Sequence, residues 1–399
     1  MFEKIVLRRS EQGPALTVGD VAEALLFYQN VHIVLDYSTL VGFIKQFGME
    51  RLLALLARPN VSAVYCEETL ATRTDRIGSF QPHSFVAMTL SGDQTVGELK
   101  SRRQRLEHLL ERNGYAKKYA RQLVERFRRH VPFRKLTDDY YLPGGVVAAA
   151  TNDLNDSAFV HEAIRQAMAE TVGAPTPLGE FKFEIISAPP VFHVLTDLDF
   201  NRINEVRAKH HPPAEEISPA HLLNEILMAR ADTALSAHYG GEFYTSALSS
   251  RIVRLRHHEL LRRAGINANE LKEFQEIALA DTPTIREVID AGERSFDEFL
   301  SILDKSQRFR DWIQTVNPDE KLVHAYMRDV TAAGWITKLP IKTLRYVLGS
   351  IVGAVSPVVG LGLSAVDSLL IEKLLGGWRP SHFIDTKLKP FLSQGEKDG

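Results

Sequence analysis

The first hundred residues alternate between short apolar runs and helical stripes. Ile5-Val6-Leu7, His32–Leu35, Val61–Cys66 and Ser84–Leu90 are β-type runs bounded by polar or turn-forming residues. Between them the period lengthens. Val21–Tyr28, Ser38–Phe47 and Met49–Ala57 carry apolar positions at helical spacing, and Asp20 is placed to cap the first of these helices. Strand, helix and strand in this order predict a small α/β unit over 1–99.

The pattern then turns helical and strongly polar. Lys100–Lys135 reads as two helices either side of Asn113-Gly114, a basic pair occupying 100–135. Leu106, Leu109 and Leu110 mark the buried face of the first; Tyr119, Leu123, Val124 and Phe127 mark that of the second. Residues 136–215 return to mixed α/β. A turn at Pro143-Gly144-Gly145 should lead into a strand of small residues up to Ala150. Asn152–Asp156 should cap a helix over Ser157–Thr171, and strands are expected at Phe181–Ser187 and Val191–Leu195. Asp197 and Asp199 are expected to start the next helix. His210–Glu216, with two adjacent prolines, reads as a linker.

Beyond it the pattern is almost entirely helical over 216–340. Helices are predicted at Ser218–His238, Thr245–Ala264, Ala268–Leu279, Thr284–Ala291, Ser295–Lys305, Arg308–Thr315 and Pro318–Ala332. The fold class expected is therefore α+β: a mixed α/β N-terminal half, a mostly α-helical C-terminal half, and helix predominating overall.

Residues 341–399 hold an apolar, small-residue helical segment and a polar tail. Tyr346–Val366 is a run of 21 residues without a charge. Leu344, Val347, Leu348, Ile351, Val352 and Val355 form one helical stripe, while Gly349 and Gly353 make a GxxxG on the other side. Ser356-Pro357 opens a second helix through Val359 towards Leu375, where Gly376-Gly377 and Pro380 stop it. A straight helix of this length would extend ~31 Å, enough to span a bilayer core. A shallow hairpin or a pair of buried core helices fits the same pattern. Leu348, Gly349, Ile351, Val352, Gly353, Val355, Pro357 and Val359, with Trp378 beyond, are the residues expected to meet a membrane or a partner.

Composition changes this picture in two places. One cysteine, Cys66, excludes an internal disulfide framework, and the opening MFEKIVLRRSEQ has no apolar core of a secretory signal. Both lead to the expectation of a cytoplasmic protein, peripheral to a membrane if it meets one. The net charge of −2 is unevenly spread. Lys100–Lys135 has thirteen Lys or Arg against Glu107, Glu111 and Glu125, a local +10 that leaves −12 on the rest. Arg102, Arg103, Arg105, Lys117, Lys118, Arg121, Arg126, Arg128 and Arg129 are the candidate contacts for phosphate, in anionic lipid or nucleic acid. Thr245–Ala264 carries a second basic face.

Catalytic chemistry has few footholds. There is no GxSxG, GxxxxGK[ST], HExxH or CxxC, so the balance leans away from an enzyme without excluding one, since catalytic groups meet in space, and no cofactor is expected. The strand ending at Asp36 resembles the opening of a PIN-type nuclease. The resemblance covers about forty residues and implies that Asp36, with carboxylates such as Glu67, Glu68 and Asp75, would hold a divalent metal. Asp36 is thus the one weak metal candidate.

The leading functional expectation is engagement of an anionic membrane surface through the basic helices and the apolar segment. A soluble front with such a segment behind it is a plan shared with toxins and bacterial antiviral defence effectors, an analogy of layout only. Second comes a nucleic-acid-binding protein or PIN-like nuclease. Third comes a protein–protein adaptor, joining a partner or a second copy through its helical half.

Overall fold

The computed structural model of the chain describes residues 2–9, 15–75, 81–89, 99, 101–136, 144–172, 180–188, 191–210, 216–239, 241–243, 269–280, 282–316, 321–331 and 380–393. The fold is mixed α+β and helix-rich. Strands belong almost wholly to the first half and helices fill the second. Two compact units divide the chain, and neither is a single stretch. A terminal unit comprises Met1–Ile5, Thr17–Val31 and Ala264–Gly399; a central unit comprises Val6–Leu16 and His32–Arg263.

Short, well-capped helices around aromatic rings make the terminal unit. Its first helix, α1 (Val18–Phe27), begins one turn earlier than Asp20 suggests. Thr17 is the cap: its hydroxyl accepts the Asp20 N–H, and the Asp20 carboxylate accepts the Thr17 N–H in return. The other Asp20 oxygen pairs with Arg286 at 2.8 Å. Thr284 with Glu287, and Ser295 with Glu298, repeat this reciprocal box at the helices Ile285–Asp290 and Phe296–Leu303. Gly19 permits α1 to lie close to Ile285–Asp290. Its N–H reaches Asp290 Oδ1 at 2.9 Å, and a Cβ there would stand 2.8 Å from the Arg286 carbonyl oxygen. Phe27, Phe274, Phe309, Trp312, Tyr326 and Phe383 fill the interior as a connected set of edge-on and stacked rings.

Among the described residues, eight strands form two sheets. β1 (Lys4–Arg8), β2 (Asn30–Leu35), β3 (Val61–Tyr65) and β8 (Glu242–Phe243) lie in the order β3-β2-β1-β8. The division between units falls within β1 and β2. The second sheet belongs wholly to the central unit. There β4 (Glu68–Thr74), β5 (His83–Thr89), β6 (Phe183–Ala188) and β7 (Val191–Thr196) lie antiparallel in the order β4-β5-β7-β6. Leu70, Phe85, Phe183 and Phe192, one from each strand, are buried in the core of this unit.

Helices complete the central unit. α2 (Tyr37–Leu56) is capped by Asp36, whose Oδ1 accepts the Thr39 N–H at 2.6 Å. It is broken at Gly48, where φ is +83°, matching the expected stop at Phe47 and restart at Met49. α5 (Gly145–Asp153) replaces the strand expected after Pro143-Gly144-Gly145. Gly144, at φ +73°, turns the chain, and the alanines at 148–150 favour helix over strand. α6 (Ser157–Val172) starts at Asp156, which accepts the Phe159 N–H. α7 (Phe200–His210) starts at Asp199 alone; Asp197 instead accepts the Lys182 N–H just before β6.

α8 (Pro219–Tyr239) is the central helix, buried around nearly its whole circumference. It therefore carries charge into the core. Asp232 pairs with Arg8 at 2.7 Å, and Arg230 grips Asp153 with two hydrogen bonds. Among the described residues Glu225 has no such cation: burial, and then the charge of Asp232, push its carboxyl up to about 7.

The expected helix Thr245–Ala264, with its second basic face, lies outside the described residues, as do Tyr346–Val366 and Trp378. Among the described residues, no helix is long and apolar enough to cross a membrane.

Candidate anion-binding surface

The basic stretch folds as expected into two helices, α3 (Arg102–Arg112) and α4 (Lys117–His130). Ser101 opens α3 with a capping box to Gln104, and the turn at Asn113-Gly114 has Gly114 at φ +91°. Each helix is anchored by one apolar face: Leu106, Leu109 and Leu110 on α3, and Ala120, Leu123, Val124 and Phe127 on α4. The α4 set falls at i, i+3, i+4 and i+7. Ala120 thus takes the place that Tyr119 was expected to hold, and Tyr119 is 41% exposed.

The nine candidate cations part company here. Arg102 and Arg105 turn inward to the buried Glu67. Arg105 forms two hydrogen bonds to its carboxylate, at 3.1 and 2.5 Å, and Arg102 lies at 3.5 Å. The hydrogen bond from Glu67 raises the already high pKa of the Arg105 guanidinium. Arg102 and Arg128 both stand over the Phe133 ring, at 5.7 and 5.8 Å. Arg103 bridges Glu107 and Glu125, each at 2.8 Å, while Arg121 approaches Glu107 and Arg128 approaches Glu125.

Lys117, Lys118, Arg126 and Arg129 remain. All four are exposed, and among the described residues none has an acidic partner in an ion pair. At 100° per residue, Lys118, Gln122 and Arg129 lie on the side of α4 opposite the apolar face, with Arg126 and Tyr119 beside them.

Tyr119 belongs to a small aromatic cluster that the sequence pattern did not reveal. Its ring lies 6.3 Å from that of Tyr115, tilted by 37°. The Tyr115 hydroxyl accepts the Met49 N–H at 2.8 Å, the amide released by the break at Gly48, and donates to Glu50 at 3.2 Å. Tyr119 also hydrogen-bonds Glu50, and that bond raises its phenolic pKa. Both hydroxyls thus converge on one carboxylate. The only signal in the sequence was the i, i+4 spacing of the two tyrosines.

The carboxylates considered for a metal are engaged elsewhere. Asp36 caps α2, Glu67 holds two arginines, Glu68 accepts the Leu136 N–H at 2.5 Å, and Asp75 pairs with Arg73. Among the described residues, no three His, Cys, Asp or Glu side chains are grouped to hold a metal ion. Cys66 is buried, which pushes its thiol up to about 11, so it is neutral and unreactive at pH 7. Compared with protein-family models, curated proteins and solved structures, the chain finds no match.

Proposed function

We propose that this protein binds phosphate-bearing polyanions through the exposed cationic side of α4. One observation carries the reading: on α4, Lys117, Lys118, Arg126 and Arg129 are exposed without acidic partners, while Ala120, Leu123, Val124 and Phe127 hold the helix to the core. Cations held this way on a rigid element meet a row of phosphates without a large ordering cost. An anionic membrane offers that chemistry, and the uncharged run Tyr346–Val366 would add burial to charge, the two signals that stable membrane attachment needs. A nucleic-acid backbone offers the same phosphates.

The test is direct. Flotation with phosphatidylserine-containing and neutral vesicles, and fluorescence anisotropy with labelled oligonucleotides, are run from low to high salt. Binding to at least one anionic probe is expected, falling steeply with salt and lost when Lys117, Lys118, Arg126 and Arg129 are replaced by Ala. No binding to any anionic probe at low salt would refute the reading. Retained binding in the fourfold variant would move the contact off α4. Loss of the membrane arm alone on Ile351→Asp would assign the uncharged run its part.

A further inference from the structure

We propose that Tyr119, with Lys118, Gln122, Arg126 and Arg129 beside it, is a stacking platform for the unpaired bases of single-stranded nucleic acid. The proposal rests on the polyanion reading of α4 and names the class of polyanion. Three observations support it. First, a tyrosine at 41% exposure stands at the border between the apolar and cationic sides of the helix, one position from the slot where it would have been core. Second, its ring has an ordered neighbour. The Tyr115 ring lies 6.3 Å away and is itself tied through its hydroxyl to Met49 and Glu50, so a base stacking on Tyr119 meets a surface already partly built. Third, a cation follows the ring along the same side of the helix. Arg126, two turns on, lies within about 20° of Tyr119 around the axis and ~10 Å along it, a spacing that lets a strand leave a base on the ring while its backbone runs past charge, with Lys118 and Arg129 further round.

Every base has a π-face, so stacking of this kind tolerates any sequence, but a duplex keeps its faces stacked internally and offers none. A lipid headgroup has no face at all. The Glu50 carboxylate lies on the hydroxyl side of the rings and would disfavour phosphate there, which directs the backbone towards Lys118, Arg126 and Arg129.

The experiment compares a labelled oligo-dT of twenty nucleotides, a duplex of equal length and phosphatidylserine vesicles, all at low salt. The expected result is that Tyr119→Ala weakens oligo-dT binding about 5-fold or more, while Tyr119→Phe, which keeps the ring, stays within about twofold. Duplex affinity and the melting temperature should not move in either variant. Tyr119→Trp supplies an independent readout, since an indole at this position should lose fluorescence on oligo-dT and not on duplex. Unchanged oligo-dT affinity in Tyr119→Ala, or no quenching in Tyr119→Trp, would overturn the platform and leave the polyanion reading standing. Binding confined to vesicles would do the same. Failure of all three probes with the unaltered protein would remove the polyanion reading and the platform together.

Discussion

Arg105 and Arg129 lie on consecutive helices of one basic stretch, and the fold treats them oppositely. On α3, Arg102 and Arg105 reach inward to Glu67, a carboxylate only 5% exposed, and become part of the framework. On α4, Lys117, Lys118, Arg126 and Arg129 stay in water. A count of charges does not separate these two roles. What separates them is whether a buried acid lies within reach, and that acid is 38 positions away from Arg105 in the chain. Charge density in a sequence therefore marks a region worth testing, while the choice of residues to alter needs the fold.

The sharpest way to break the comparison is to remove one cation from each helix. Arg105→Ala leaves the buried Glu67 with only Arg102, at 3.5 Å, and should cost about 3 kcal/mol in urea denaturation, the lower end of the scale for breaking a buried ion pair. A loss under about 1 kcal/mol would show that Arg105 belongs with the solvated cations after all. Nearly as large an effect is expected at Glu225, which is buried and, among the described residues, has no cation paired with it. Its carboxyl is raised from the usual carboxylate range to about 7. Below about pH 4.5 the group is protonated in both states and costs nothing. As pH rises from there to 7 the unfolded chain ionises first, so stability falls; above 7 the loss is complete, at about 3 kcal/mol. Glu225→Gln should remove that fall and make the protein more stable at pH 8 than the unaltered chain. Denaturation curves at pH 5 and pH 8 decide it.

Smaller in stability but larger in binding is the fourfold α4 variant. Replacement of Lys117, Lys118, Arg126 and Arg129 by Ala should leave the melting temperature almost unchanged, each site being worth at most about 0.5 kcal/mol. Polyanion affinity at low salt should meanwhile fall at least about tenfold, with a shallower salt dependence. The smallest expected effect is at the turn between the helices. Tyr115→Phe removes the hydroxyl that accepts the Met49 N–H, and should cost about 1 kcal/mol. If it costs nothing, water replaces the hydroxyl and the turn is not tied to the break in α2.

Local chemistry made much of this fold legible. Helix starts at Asp36, Thr284 and Ser295 follow from side chains that satisfy nearby amides, and the restart at Met49 follows from pattern alone. The basic pair and its Leu106, Leu109, Leu110, Leu123, Val124 and Phe127 anchors are a matter of helical period. What stayed hidden depended on distant partners or on competing local preferences. Gly145–Asp153 mixes two valines with three alanines, and the alanines prevailed. Tyr119 looked like core because aromatics usually are, and one position of phase moved it outside. The burial of Glu225 and Asp232 follows from α8 being surrounded, which its own residues, polar ones included, do not announce. Nor does a sequence show that Thr17–Val31 belongs to one compact unit with residues after 263.

That last feature bears on how the chain is made. Glu23 of α1 hydrogen-bonds Gln275, 252 positions later, and Phe27 packs on Phe274 and Phe309. A ribosome emits α1 long before it emits those partners, and the larger part of the central unit, His32–Arg263, is synthesised in between. At ~5–20 residues per second, α1 waits for more than ten seconds with its apolar face uncovered. The N-terminal helix therefore completes its packing only after most of the chain has been made.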